Sequence, residues 1–79
     1  MDENDIGTVI VDCAVRLHQD LGPGLLETVY EVSLAQKLKT RGLSVERQVA
    51  VAISYDGQQF DEGFRADLII ERKVIVELK

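Results

Sequence analysis

Two carboxylates and an ammonium near the end of this 79-residue chain have the types and spacing for phosphate chemistry: Asp67, Glu77 and Lys79. Side chains two apart in a strand project to one side, so Glu77 and Lys79 share a face if this segment is extended. Carboxylate oxygens are hard donors that suit Mg²⁺ or Mn²⁺, and such ions keep several waters and need only a few protein ligands. The same residues also make an ordinary surface: Asp67 and Glu77 apart in water, with Lys79 screening them. The spacing leaves both readings open.

The elements that must position these residues are legible from periodicity. Ile6, Val9, Ile10, Cys13, Ala14, Leu17 and Leu21 recur at helical spacing on one stripe. Asn4 or Asp5 is placed to cap its start, and Gly22-Pro23-Gly24 stops it. A second helix is predicted from about Leu25 to Thr40, with Leu26, Val29, Tyr30, Leu34 and Leu38 on its stripe and Ala35 beside them. Gly42 stands at the position of a left-handed C-cap, and Lys37, Lys39 and Arg41 crowd the end where the helix dipole favours cations.

Beyond Gly42 the period changes to two. Val45, Arg47, Val49, Val51, Ile53 and Tyr55 alternate with Glu46, Gln48, Ala50, Ala52 and Ser54, and Asp56-Gly57 is a two-residue hairpin turn. A return strand from Gln58 to about Ile70, with a bulge site at Gly63, is followed by the polar break Glu71-Arg72-Lys73 and a last strand from Val74. The fold expected is α+β: two N-terminal helices packed on a three-stranded antiparallel meander.

The turns set a register. A two-residue turn at Asp56-Gly57 pairs Ile53 with Phe60, Val49 with Phe64, Gln48 with Arg65 and Glu46 with Asp67. A three-residue turn pairs Ile70 with Val74, Leu68 with Val76 and Asp67 with Glu77. One face is then continuously apolar (Val45, Val49, Ile53, Phe60, Phe64, Leu68, Ile70, Val74, Val76 and Leu78), and the helices are expected to cover it. The other face carries Glu46, Gln48, Arg65, Asp67, Glu77 and Lys79. A bulge at Gly63 abolishes the Glu46–Asp67 pairing but leaves Asp67 opposite Glu77.

Composition narrows the function classes. The net charge of −5 is a poor match to nucleic acid, whose affinity comes mainly from phosphate neutralisation by Lys and Arg. Carboxylates that hold a divalent cation escape this objection, because the ion neutralises them. Cys13 is the lone cysteine and falls on the apolar stripe of the first helix. It reads as a small buried hydrophobe, and the chain as cytoplasmic. No apolar run approaches the roughly 18 residues that span a bilayer, and the acidic start is no secretory signal. His18 sits at the edge of its stripe as a structural residue.

The segment Gly24-Leu25-Leu26-Glu27-Thr28-Val29-Tyr30 resembles the motif that names the GxxExxY proteins. Its surroundings are similar too: His18-Gln19-Asp20-Leu21-Gly22-Pro23 before it, Gly42-Leu43-Ser44-Val45-Glu46-Arg47-Gln48 after it, then Arg65-Ala66-Asp67-Leu68-Ile69-Ile70-Glu71 and Val76-Glu77-Leu78-Lys79. These proteins look like members of the PD-(D/E)XK nuclease-like superfamily, with its restriction-endonuclease-like core. The resemblance implies that Asp67 is the aspartate of the motif, that Glu77 and Lys79 are its (D/E)-x-K half, and that Glu27 is the glutamate of the first core helix. It makes Glu27, Asp67, Glu77 and Lys79 the catalytic set, with Glu27, Asp67 and Glu77 on Mg²⁺ or Mn²⁺ and the Leu78 carbonyl completing the shell. Ala66 stands where the motif's name has proline.

Glu27 has a second reading, in the first turn of its helix, where a glutamate favours the dipole and caps backbone N–H groups. Tyr30 is expected in the core with its hydroxyl hydrogen-bonded. Gln48 either contacts substrate or pairs with Arg65. A superfamily core continues into a further helix and strand after the lysine, so residues 1–79 are expected to be a single domain, and a fragment of it.

The function expected is metal-dependent phosphodiester hydrolysis on nucleic acid. The alternative is a catalytically silent nuclease-like domain that serves as a protein-interaction or structural module. The edge of the final strand offers a route to self-association as a homo-oligomer.

Overall fold

The computed structural model describes residues 1–78. Helix α1 spans Glu3–Leu21 and α2 spans Glu27–Thr40; strands β1 (Val45–Tyr55), β2 (Gln58–Ile70) and β3 (Val74–Val76) follow. They form one antiparallel sheet in the order β1-β2-β3. The α+β meander expected from the sequence is the fold observed.

The ends of α1 follow local chemistry. The cap is Asp2 rather than Asn4 or Asp5, because Asp5 is its reciprocal partner. Asp5 N–H donates to the Asp2 carboxylate at 2.8 Å, and the Asp5 carboxylate accepts from Asp2 N–H at 3.5 Å. Gly22 ends the helix at φ 73°, where a side chain would be strained, and donates to the His18 carbonyl at 2.8 Å. Helix α2 closes in a Schellman arrangement: Gly42, at φ 86°, donates to the Lys39 carbonyl and Leu43 to that of Leu38.

Ile6, Ile10, Cys13 and Leu17 of α1 pack with Leu34, Ala35 and Leu38 of α2, Leu43, and Leu68 and Ile70 of β2. The stripe expected on α2 is partly wrong. Leu26 is 77% exposed and Val29 40%, while Glu31 is buried among the apolar residues. Leu26 is the N-cap, and neither it nor Val29 joins the core, whereas Tyr30 packs against the core and, with Glu27, lines an open cavity.

The helices also fail to cover the whole apolar sheet face. Ala66, Leu68 and Ile70 are fully buried, but Ile53, Phe60 and Phe64 are each more than 40% exposed. Length explains it. Strands of 11 and 13 residues reach about 36–43 Å, whereas the 14 residues of α2 span only about 21 Å. The outer hairpin projects as an arm from a molecule measuring 46 × 31 × 16 Å.

Asp56 and Gly57 turn the hairpin at φ 50° and 77°, and Ile53 pairs with Phe60 as predicted. The register then shifts between Val51 and Ile53, so Val51 meets Phe64 and Val49 meets Ala66. Gly63 lies in the skipped stretch, where a Cβ would come within 2.2 Å of the Ile53 side chain. The shift moves the predicted pairs: Glu46 faces Ile69 instead of Asp67, and Arg65 faces Ala50 instead of Gln48. The second turn behaves as expected, with Ile70 opposite Val74 and Leu68 opposite Val76.

Polar contacts tie the layers together. The Asp12 carboxylate on α1 accepts from Arg41 beyond α2 and from Arg16 one turn on. Ser44 N–H donates to the Glu71 carboxylate, and Glu71 N–H to the Ser44 carbonyl, each at 2.9 Å. The buried Glu31 carboxylate pairs with Arg47 of β1, its Oε2 accepting from Nη2 at 2.8 Å and from Nε at 3.0 Å.

Three of these carboxyls have pKa values below the ordinary range: Asp2 through the Asp5 N–H, Asp12 through the Arg41 and Arg16 guanidinium groups, and Glu71 through the Ser44 N–H. Each is lower folded than unfolded. The stability they provide is therefore fully present above the unfolded value, near 4, and is lost as pH falls through the folded value. Thermal melts should give a midpoint that is flat from pH 7 to about 5 and falls below about pH 4. The fall should be shallower in Asp12→Asn.

Burial makes the Glu31–Arg47 pair asymmetric, since the Glu31 side chain is 6% exposed and that of Arg47 40%. Arg47→Met strands a carboxylate in the core and should cost about 2–3 kcal/mol in urea unfolding. Adding Glu31→Leu should recover more than half of that loss, because the stranded charge is then gone. A double variant no more stable than Arg47→Met would show that the desolvated charge is not the cause.

Candidate functional site

Asp67 lies on β2 between two fully buried neighbours, Ala66 and Leu68. Alternation therefore turns its side chain to the opposite face of the strand from theirs, and it is half-buried. Its two oxygens are engaged separately. Oδ2 accepts from the Leu78 N–H at 2.8 Å, and Oδ1 lies 3.4 Å from the Gln48 side-chain amide nitrogen.

The first of these contacts modifies the expected pairing of Asp67 with Glu77. The β2–β3 ladder has the predicted register but stops at Leu68–Val76, one step short of that pair. Glu77 and Leu78 continue as irregular chain past β3, and the Asp67 side chain holds that continuation through the Leu78 N–H. Glu77 is exposed. Lys79 falls outside the described residues.

Glu27 is the first residue of α2 and is exposed. Leu26 is the N-cap and makes no side-chain capping bond, so the capping reading of Glu27 reduces to its favourable position in the first-turn dipole. It lines a cavity of about 480 Å³ together with His18, Pro23, Gly24, Leu25, Tyr30 and Leu78. Glu27 and the chain just past β3 thus border one opening. Among the described residues, no three His, Cys, Asp or Glu side chains converge closely enough to form a complete metal cage.

One wall of the cavity is aromatic. The His18 and Tyr30 rings stack with centroids 6.4 Å apart and planes at 28°. The Tyr30 hydroxyl donates to the Gly22 carbonyl, which satisfies it as expected. His18 is exposed, more a part of the cavity lining than of the core.

Sequence reasoning missed one participant. Glu31 was an unremarked position on α2, yet it is 4% exposed and linked to the site. Its Oε1 accepts from the Gln48 amide at 2.7 Å, the same nitrogen that faces Asp67. Gln48 has φ 52°, a left-handed conformation that costs a non-glycine residue about 1–2 kcal/mol. Arg65, its expected partner, pairs instead with Glu62 at 3.1 Å. A signal for Glu31 was present: it falls one turn before Ala35 and three residues before Leu34, on the face that packs. A charge there predicts a buried partner, and Arg47 on the apolar side of β1 is that partner.

No curated protein and no solved structure matches this chain with significance. A family model described as the PD-(D/E)XK nuclease superfamily matches residues 4–79, which takes in both helices, the whole meander and the Asp67…Glu77-x-Lys79 spacing. The chain therefore belongs to the PD-(D/E)XK nuclease superfamily.

Proposed function

We propose that the chain is a metal-dependent phosphodiester hydrolase acting on nucleic acid. The observation that carries this reading is the Asp67 carboxylate, bonded to the Leu78 N–H at 2.8 Å in the segment that also carries Glu77, in a chain matched to the nuclease superfamily over residues 4–79. The donors have the right chemistry for the ion. Asp67, Glu77 and Glu27 offer hard oxygens only, which suits Mg²⁺ or Mn²⁺ and not a softer metal. An ion that keeps most of its waters needs only one or two of these carboxylates.

In this reading Asp67 and Glu77 would hold the ion, with Glu27 and the Leu78 carbonyl as the further oxygen donors. The bound ion supplies charge to polarise a phosphoryl oxygen and to acidify a water. The chain's own part is to fix the carboxylates. The Leu78 N–H holds one Asp67 oxygen, and β2 anchors the aspartate between two buried residues. Lys79 would orient the attacking water or offset charge that develops on the phosphate.

A rival reading has an observation of its own. The exposed Ile53, Phe60 and Phe64 on the hairpin arm and the net charge of −5 favour a silent nuclease-like domain that works through protein contacts. Cleavage decides between them. The 79-residue chain with Mg²⁺, incubated with single- and double-stranded DNA and RNA, should cut at least one, and chelation should stop it. Asp67→Asn and Glu77→Gln should each lose at least about 100-fold while melting normally. Cleavage by both variants at the wild-type rate would overturn the assignment. Absence of Mn²⁺ binding in calorimetry would leave the interaction module.

A further inference from the structure

We infer that Gln48 is a positioning residue for Asp67, aimed by the buried Glu31–Arg47 pair; this rests on the reading of Asp67 as a metal ligand. The contacts form one chain from the core to the site. Arg47 donates through Nε and Nη2 to Glu31 Oε2 at 3.0 and 2.8 Å. That leaves Oε1 of a buried side chain, and it accepts from Gln48 Nε2 at 2.7 Å. The amide nitrogen carries two hydrogens, and its second direction reaches Asp67 Oδ1 at 3.4 Å.

Asp67 is consequently held at both oxygens, Oδ2 by the Leu78 N–H and Oδ1 by an amide that is itself anchored. A carboxylate held at both oxygens is restrained in its rotation and presents fixed lone pairs. Partners of this kind around metal-ligating carboxylates change metal affinity or activity by about 10–100-fold.

The chemistry of the link suits the task. A lysine or arginine at position 48 would neutralise Asp67 and compete with a cation. An amide donates without adding charge, so the full carboxylate charge stays available. Arg47, the nearest guanidinium in this chain of contacts, is spent on Glu31. Backbone strain points the same way. Gln48 holds φ 52° within a strand that pairs Arg47 with Leu68 and Val49 with Ala66 on either side of it. Such outliers persist where surrounding contacts over-determine them, and they cluster at functional sites.

The experiment is Mn²⁺ calorimetry on the 79-residue chain, with thermal melting of every variant. Gln48→Met keeps the side chain's length and removes the donor; its Mn²⁺ affinity should fall about tenfold in a variant that still melts cooperatively, at a midpoint lowered by the unpaired Glu31 oxygen. Gln48→Gly accepts the left-handed backbone and should show the same affinity loss at a melting temperature no lower than that of Gln48→Met, so that loss of stability does not account for the loss of binding. Glu31→Gln should weaken Mn²⁺ binding in the wild-type background and add nothing in the Gln48→Met background, because Glu31 acts through Gln48.

Wild-type affinity in Gln48→Met, with binding lost in Asp67→Asn, would overturn the positioning role and leave the metal site intact. Additive losses in the double variant would also overturn it, by showing that Glu31 acts through folding alone. No binding by the wild-type chain would overturn the metal reading and this inference together.

Discussion

Everything at the site depends on the burial of the base of β2. Ala66, Leu68 and Ile70 are fully buried, and the alternation of a strand then leaves Asp67 and Ile69 no choice of side. A slip by one residue would expose three core side chains and bury a carboxylate, each of which is costly. The position of Asp67 is thus a by-product of core packing. The turn at Glu71-Arg72-Lys73 extends the same constraint to β3, which brings Glu77 and Leu78 alongside.

A second constraint works through charge. Helix α2 presents a glutamate where its stripe enters the core, and a carboxylate there is stable only with partners. Arg47 and Gln48 are consecutive residues of β1, and both reach Glu31. Residues next to each other in a regular strand point to opposite faces. Both serve one carboxylate here because Gln48 leaves the regular conformation, at φ 52°. The strain in β1, the buried ion pair and the orientation of Asp67 are three aspects of one arrangement.

What was legible in the sequence is what local rules decide. Helical and period-two spacing identified all five elements, and the turn at residues 71–73 gave the correct β2–β3 register. Less was legible where two distant segments meet. The shift at Gly63 moved Gln48 from Arg65 to a position across from Asp67, because a bulge is set by the fit of two strands and not by the turn between them. Glu31 was overlooked because its significance lies in a partner 16 residues away. Leu26 and Val29 were assigned to the core by a periodicity that continues past the point where α2 has a sheet to pack on.

The distribution of apolar surface bears on how such a small chain holds a charged site. Seventy-nine residues by themselves bury only about 60–65% of their extended surface, so the core they form has little stability to spare. Here the outer hairpin contributes almost nothing to that core, since Ile53, Tyr55, Phe60 and Phe64 are all exposed. The core is concentrated where α1, α2 and the base of β2 meet, and the Glu31 and Asp67 contacts lie at its margin. Each carboxylate is then close enough to packed residues to be held still, yet Asp67 remains half in solvent. A site deeper in the core would be more rigid, but it would add the desolvation of a second carboxylate to that of Glu31. The margin of the core is where rigidity and access are compatible.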